Sequence, residues 1–368
     1  MISFQKRVYA VIIFTMSLFS RILFFGKKYK KTVIVTDFPH ENRYSFYRIA
    51  GKDENIVYFA KSKNDRILND KEYHPIKSES IMFLIKIIPY LTKSDLVICD
   101  NYFPFLSSYI KPKKQSLIQI WHADGAVKNF GIKSSSIDKK TKYEIRVYRK
   151  VYTRFDRYIC SSQQMANAFI NNYDINPEKI EIIGSPNIEH MKKSKESIHN
   201  RITNENPFLN GAKIILYAPT FKNYEYNYQG IVEGLYKYFS DEYVIIVKYH
   251  PKNMNKYREN FLNYRTDELM SVADVLITDY SSMFFKFINI NPDGKTFLLW
   301  DDFSQYEKNN SINSDFMFNK KDLISRSVYE IKHKIDQNKI SNRTILNQYE
   351  VHSREATAKL VKIVYSEN

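Results

Sequence analysis

The chain has 368 residues, a formal charge of +16 from 56 Lys+Arg against 40 Asp+Glu, and two cysteines. That length allows two domains with full cores and excludes a single small module. The charge calls for an anionic partner (nucleic acid, lipid headgroups or a phosphorylated substrate), while 29 Tyr and 25 Phe exclude a disordered or low-complexity chain. Cys99 and Cys160 each end an apolar run and read as buried thiols of a reducing compartment, not as a disulfide, a zinc pair or a nucleophile.

Residues Val8 to Phe25 are mainly apolar, preceded by Lys6 and Arg7 and followed by Lys27, Lys28, Lys30 and Lys31. Arg21 lies too deep for a comfortable transmembrane span, and no small-residue cleavage site follows, against a signal peptide. Two readings stand: a helix in the membrane interface with its lysines on anionic headgroups, or an amphipathic helix packed on the globular body. From Thr32 strands and helices alternate. Strands are expected at Thr32–Thr36, Asn55–Phe59, Asp95–Asp100, Ser116–Ile120, Arg157–Cys160 and near Lys179–Ile183. A helix over Ser80–Leu91 should be stopped near Pro89, a charged one should run from about Ser136 to Val151, and another should start on Ser161 and Ser162. The polar stretch Lys192 to Asn210 reads as a domain linker. A second alternating half follows, with strands at Lys213–Ala218, Tyr243–Tyr249, Val275–Thr278 and Thr296–Leu299. Helices are expected at Ile231–Phe239, Asp267–Ala273 and Met283–Ile290, then one or two over Ser341–Tyr365. This alternation predicts an α/β protein with parallel sheets and helices on both faces.

The sequence has no Gly-x-Gly-x-x-Gly after a strand, no Walker loop, no Gly-x-Ser-x-Gly, no His-Glu-x-x-His and no paired Cys-x-x-Cys. Dinucleotide, NTPase, serine-hydrolase and zinc chemistry lose their main support, and no metal or cofactor is expected. Four strand ends carry polar residues instead. Trp121-His122-Ala123-Asp124-Gly125-Ala126-Val127-Lys128-Asn129-Phe130-Gly131 combines a titratable ring with glycines that let backbone approach a ligand. His122 with Asp124 suits a general base oriented by a carboxylate, and a structural turn histidine is the bland alternative. Tyr217-Ala218-Pro219-Thr220-Phe221-Lys222 offers a hydroxyl, a cation and a ring, or is only a strand-exit turn. Lys248-Tyr249-His250-Pro251 supplies a second strand-end histidine. Thr278-Asp279-Tyr280-Ser281-Ser282 leads into a helix, as a phosphate-binding N-terminus or a plain cap.

In that order and at those separations the four segments resemble the CDP-glycerol glycerophosphotransferase family of wall teichoic acid synthesis. Within it, the short length, the apolar N-terminal segment and the Trp-His-Ala loop are most similar to the primases. The resemblance implies a GT-B fold, two Rossmann-like domains whose parallel sheets face an interdomain cleft. It divides the chain into a membrane-associating segment (1–30), an acceptor domain (31–195), a CDP-glycerol-binding domain (205–340) and C-terminal helices (341–368). By resemblance, His122 is the base on the acceptor hydroxyl, with Asp124 beside it, and His250 contacts the donor diphosphate. Thr278, Ser281 and Ser282 bind phosphate oxygens, Asp279 shapes their loop, and Lys128, Lys222 and Lys248 neutralise charge. Gly125, Asn129, Pro219 and Thr220 complete the substrate-binding set. The implied reaction moves glycerol phosphate from CDP-glycerol to an undecaprenyl-diphosphate-linked disaccharide, at an anionic membrane surface on the cytoplasmic face, with no nucleic acid involved. A glycerol- or ribitol-phosphate polymerase is the alternative within the family, and a non-catalytic binder of nucleic acid or lipid surface the alternative outside it. One departure stands out: Lys286 occupies a position where many relatives carry an acid.

Overall fold

Every strand between Thr32 and Leu299 is short, and most are apolar along their whole length, which suits parallel sheets covered on both faces. The computed structural model describes residues 2–23, 32–51, 55–60, 72–76, 80–253, 261, 263–313, 316, 322–337, 340–349, 351 and 353–365. It divides into two compact units. Unit 1 comprises residues 1–123, 130–187 and 352–368, and unit 2 comprises residues 124–129 and 188–351.

In unit 1, strands β1 (Thr32–Thr36), β2 (Ile56–Ala60), β3 (Glu72–Pro75), β4 (Leu96–Cys99), β5 (Ser116–Gln119), β6 (Arg157–Cys160) and β7 (Ile180–Ile182) form one parallel sheet. Their order is β3-β2-β1-β4-β5-β6-β7. The order reverses between β1 and β4, and in open α/β sheets such a switch point, beyond the carboxyl ends of the strands, is where ligands sit. In unit 2, β8 (Ile214–Ala218), β9 (Val244–Val247), β10 (Val275–Thr278), β11 (Lys295–Leu299) and β12 (Ile324–Ser325) are ordered β12-β11-β10-β8-β9, also parallel. The switch there falls between β8 and β10.

Helix α1 (Ile2–Leu23) packs against α3 (Ile81–Lys93), with Ile13, Ser17 and Ser20 buried and Ser20 Oγ 2.9 Å from Thr92 Oγ1. Its other face leaves Phe4, Val8, Val11, Phe14, Leu18, Phe19, Ile22 and Leu23 exposed, so the helix is packed on the body yet keeps an uncovered apolar side. Among the described residues, no helix is long and apolar enough to cross a membrane. Phe24 and Phe25 and the cluster Lys27, Lys28, Lys30 and Lys31 lie outside the described residues.

Three expectations are corrected. α3, expected to end by Leu91 because of Pro89, carries the proline inside it and runs two residues further, to Lys93. Proline removes one backbone hydrogen bond, and here burial of Leu91 and Thr92 together with Thr92 Oγ1 donating to Ile88 O (2.9 Å) outweighs it. The charged helix begins later than expected: α4 (Lys142–Thr153) starts at a capping box between Thr141 and Glu144, after two short 3-10 turns. The stretch read as a linker is instead mostly helix, α6 (Pro186–Glu205). Its apolar stripe falls at Ile188, Met191, Ile198 and Ile202, and Lys195 occupies the place that would have made it conspicuous. The tail forms two helices that part company. α12 (Asn342–Tyr349) belongs to unit 2, whereas α13 (Ala356–Tyr365) returns to unit 1 and buries Leu360 and Val364 with β1, β2 and β4. The remaining helices of the site region are α2 (Arg43–Ala50), α5 (Gln163–Tyr173), α7 (Tyr228–Phe239), α8 (Thr266–Leu269), α9 (Met283–Ile290), α10 (Phe303–Asn310) and α11 (Val328–Asp336).

Candidate active site

In unit 1 the candidate residues gather at the carboxyl ends of β1, β4 and β5. His122 follows β5 and is half-buried. Its Nδ1 lies 2.8 Å from the main-chain oxygen of Asp100, the residue after β4. A carbonyl only accepts, so Nδ1 carries the proton and the lone pair sits on Nε2. The ring stacks on Phe38, with centroids 3.8 Å apart, and lies tilted against Trp121 at 4.4 Å. Trp121 has φ +53, left-handed backbone that a bulky residue rarely adopts, so the turn presenting His122 is held against local preference. Nδ1 is held by the Asp100 carbonyl, while Asp124, the carboxylate expected to orient the ring, is buried and belongs with unit 2. Tyr173 packs against the backbone at Gly131 (φ +62), where an added Cβ would lie 1.3 Å from its hydroxyl oxygen.

In unit 2 the segment 124–129 is stitched to residues 311–313. Asn129 Nδ2 donates to Ser311 Oγ (2.7 Å) and Ile312 O (3.0 Å), and Asn313 Nδ2 donates to Ala126 O (3.0 Å). Gly125 lies so close to α9 that a Cβ would come 2.4 Å from the Phe285 ring. This seam carries Lys128. Burial lowers its pKa, with Asp279 raising it and Lys222 lowering it again. His250 is exposed beyond β9, and its Nδ1 accepts from Lys252 N (3.2 Å). Burial, then Lys252 and Lys128, lower its pKa, and Asp279 opposes them. Lys128 and Lys252 thus both act electrostatically on His250. Ser281 and Ser282, half-buried, form the turn into α9, where Ser281 Oγ accepts from Met283 N (3.2 Å). Helix N-termini of this kind favour phosphate.

Other expected phosphate ligands serve the scaffold instead. Lys222, with no exposed side-chain surface, pairs with Asp302 (2.5 Å) and Asp279 (3.3 Å) under the Tyr226 ring. It is therefore a buried counter-charge, not a donor-facing cation. Thr278 is buried too, and its hydroxyl donates to Ala218 O (2.6 Å), tying β10 to β8. Asp279 accepts from Thr220 N (2.9 Å), Thr220 Oγ1 (3.0 Å) and Tyr280 N (2.7 Å), which shapes the switch-point loops; Thr220 is thereby committed to it, and Pro219 is buried beside it. Lys248 is buried with Nζ 3.5 Å from Phe261 O. Lys286 is buried one turn into α9. The structure adds residues that sequence reasoning passed over. Asp302 accepts from Lys222, Tyr224 (2.5 Å) and Tyr280 (3.0 Å), and Lys252 stands beside His250. The pair Asp301-Asp302 just past the apolar end of β11 was the available signal. Among the described residues no cluster of His, Cys, Asp and Glu suits a metal.

Residues 41–359 match the family described as CDP-Glycerol:Poly(glycerophosphate) glycerophosphotransferase. The teichoic acid glycerol-phosphate primase of Bacillus subtilis (strain 168) is 34% identical over 230 residues, 59% of this chain and 58% of that protein. The protein of the same name from Staphylococcus aureus is 29% identical over 201 residues, 54% of each. The match thus spans little more than half the length of these curated relatives. A solved structure of the wall teichoic acid polymerase TagF superposes with a TM-score of 0.74 at 18% identity, covering 99% of this chain and 97% of that one, a likeness of fold. With a match over nearly its whole length, the chain belongs to the CDP-glycerol:poly(glycerophosphate) glycerophosphotransferase family.

Proposed function

We propose that this chain is a GT-B transferase that moves glycerol phosphate from CDP-glycerol to a hydroxyl of a lipid-linked disaccharide, releasing CMP. The carrying observation is the His122 imidazole, whose Nδ1–H is committed to the Asp100 carbonyl and whose Nε2 is thereby the basic nitrogen. In this reading the acceptor oxygen attacks the glycerol-bearing phosphorus, Nε2 takes the hydroxyl proton, and the bond from that phosphorus to the CMP oxygen breaks. His250, Lys252, Lys128 and the α9 turn supply the positive field for the diphosphate, since such transfer depends on positioning and charge neutralisation. A priming role, adding a single unit, rests on the names of the relatives given above. A polymerising role has its own support in a Bacillus spizizenii poly(ribitol-phosphate) polymerase, 27% identical over 231 residues.

The acceptor's lipid gives a reason for the uncovered side of α1. Alongside it runs α4, joined through a Lys6–Glu144 ion pair and Arg7 over the Tyr143 ring, with Lys142, Arg146, Arg149 and Lys150 exposed. An apolar helix beside a basic one suits peripheral binding to anionic lipid on the cytoplasmic face.

The test is CMP release from CDP-glycerol with a short-tailed disaccharide-diphosphate lipid, wild type against His122→Ala. Acceptor-dependent release should fall about 10²–10⁴-fold in the variant, and full activity in it would refute the base. CDP-ribitol in parallel assigns the donor, and glycerol phosphates counted per acceptor separate primer from polymerase. Flotation with anionic vesicles should be lost on deleting residues 1–29, and its persistence would refute the α1 surface.

A further inference from the structure

Asp100 touches the histidine platform in more ways than a strand-end acid requires. Its carboxylate, fully buried, accepts from the Thr36 hydroxyl, from Asp37 N (2.9 Å), from Phe38 N (3.1 Å) and from Asn42 Nδ2 (3.3 Å). Two of these donors lead toward His122. Phe38 is the ring on which the imidazole stacks. Asn42 Nδ2 also donates to Trp121 O (2.8 Å), holding the left-handed residue just before the histidine. The main-chain oxygen of Asp100 itself receives the imidazole Nδ1–H. One residue therefore governs the ring's plane, the backbone that presents it and its tautomer.

We propose that Asp100 is the positioning residue of the transfer: its carboxylate clamps the β1 and β5 loops so that its own carbonyl holds His122 with Nε2 as the base. The proposal rests on His122 being that base. An acid that only stabilised the fold would have no need to reach both the stacking ring and the left-handed turn. Asparagine at this position keeps the shape but replaces one acceptor oxygen by an amide N–H₂, set against the N–H of Asp37 in one orientation and against the donors Phe38 N, Thr36 and Asn42 in the other, so the clamp opens on one side.

The experiment is Asp100→Asn in the full chain, read in two independent ways. In kinetics, kcat should fall at least about 30-fold with the KM for CDP-glycerol within about twofold, because the donor-facing residues lie in unit 2. In ¹⁵N spectra of the imidazoles, assigned by comparison with His122→Gln, wild type should show His122 protonated at Nδ1, and the variant a mixture of tautomers. Should Asp100→Asn fail to fold, Asn42→Ala removes one arm of the clamp and should shift the tautomer in the same direction. Unchanged kcat and an unchanged tautomer in either folded variant overturn the proposal. A shifted tautomer in an enzyme whose His122→Ala variant stays active would keep the clamp and refute the base, so the two failures are distinguishable.

Discussion

Asp100 sets stability against activity at a single carboxyl. Burial pushes its pKa from 3.8 up to about 6, while hydrogen bonds from Thr36, Asp37 and Phe38 pull it down. Because the folded value lies above the unfolded one, the folded chain holds this proton more tightly. That contribution is fully present below about pH 4 and is lost as pH rises through 6, about 3 kcal/mol in all. Asp100→Asn lacks this dependence. In urea titrations the stability of the variant relative to wild type should therefore improve from pH 4 to 7, and a constant difference would show that the carboxyl titrates normally. His250 runs the other way. Its lowered pKa means that its contribution is present above the unfolded value and lost as pH falls through the lower, folded one. Lys252→Ala should raise that pKa in an NMR titration, and no movement would separate the two side chains. Lys222 makes a third case. Lys222→Met strands Asp279 and Asp302 without their counter-charge and should cost about 3–5 kcal/mol by urea unfolding, with Lys222→Met/Asp302→Leu recovering part of it. At this scale the sequence was legible for residue type and strand-end position, which is how His122, His250 and Ser281–Ser282 could be picked out. Direction was not legible: Lys222 follows its strand end much as Lys252 does, and only the fold turns one inward and leaves the other exposed.

Between elements, one tight fit is Gly125 against Phe285 on α9. Its φ is ordinary, so the cost of a side chain there is purely one of space. Gly125→Ala should lift the 124–129 seam and raise the Kd for CDP-glycerol several-fold by calorimetry, and Phe285→Leu should restore much of it. If the second change does not help, the seam does not position Lys128. The elements were readable where one local signal dominated. α9 and β10 have the ends expected of them, since Ser282 and an apolar run mark them clearly. They were misread where tertiary packing decided. Pro89 is tolerated because of what Leu91 and Thr92 bury, and α6 hides its stripe behind Lys195. Both switch-point clasps share one logic. Asp100 after β4 grips the loop after β1, and Asp279 after β10 grips Thr220 after β8. A strand-end aspartate is visible in sequence, but the strand order that gives it a partner is not.

For the molecule as a whole, neither unit is a continuous stretch of chain. Leu360 and Val364 of α13 complete a core laid down by β1, β2 and β4, and Tyr365 donates to Ile49 O (2.6 Å). Leu360→Asp should therefore raise hydrogen exchange in β1 and β2 while leaving β8 and β10 slow, and uniform loosening would contradict the division into units. The return of α13 also has a consequence in time. On the ribosome, unit 1 has all its strands once β7 emerges, but α13, which shares with α2 the cover of one face of its sheet, is made only after unit 2. At ordinary synthesis rates that face waits roughly ten to forty seconds, so the nascent chain carries an open apolar surface while the whole of unit 2 is being built. A chaperone that shields partly built sheets should therefore act on this protein during its synthesis, with the need ending only as the last turn of α13 leaves the exit tunnel.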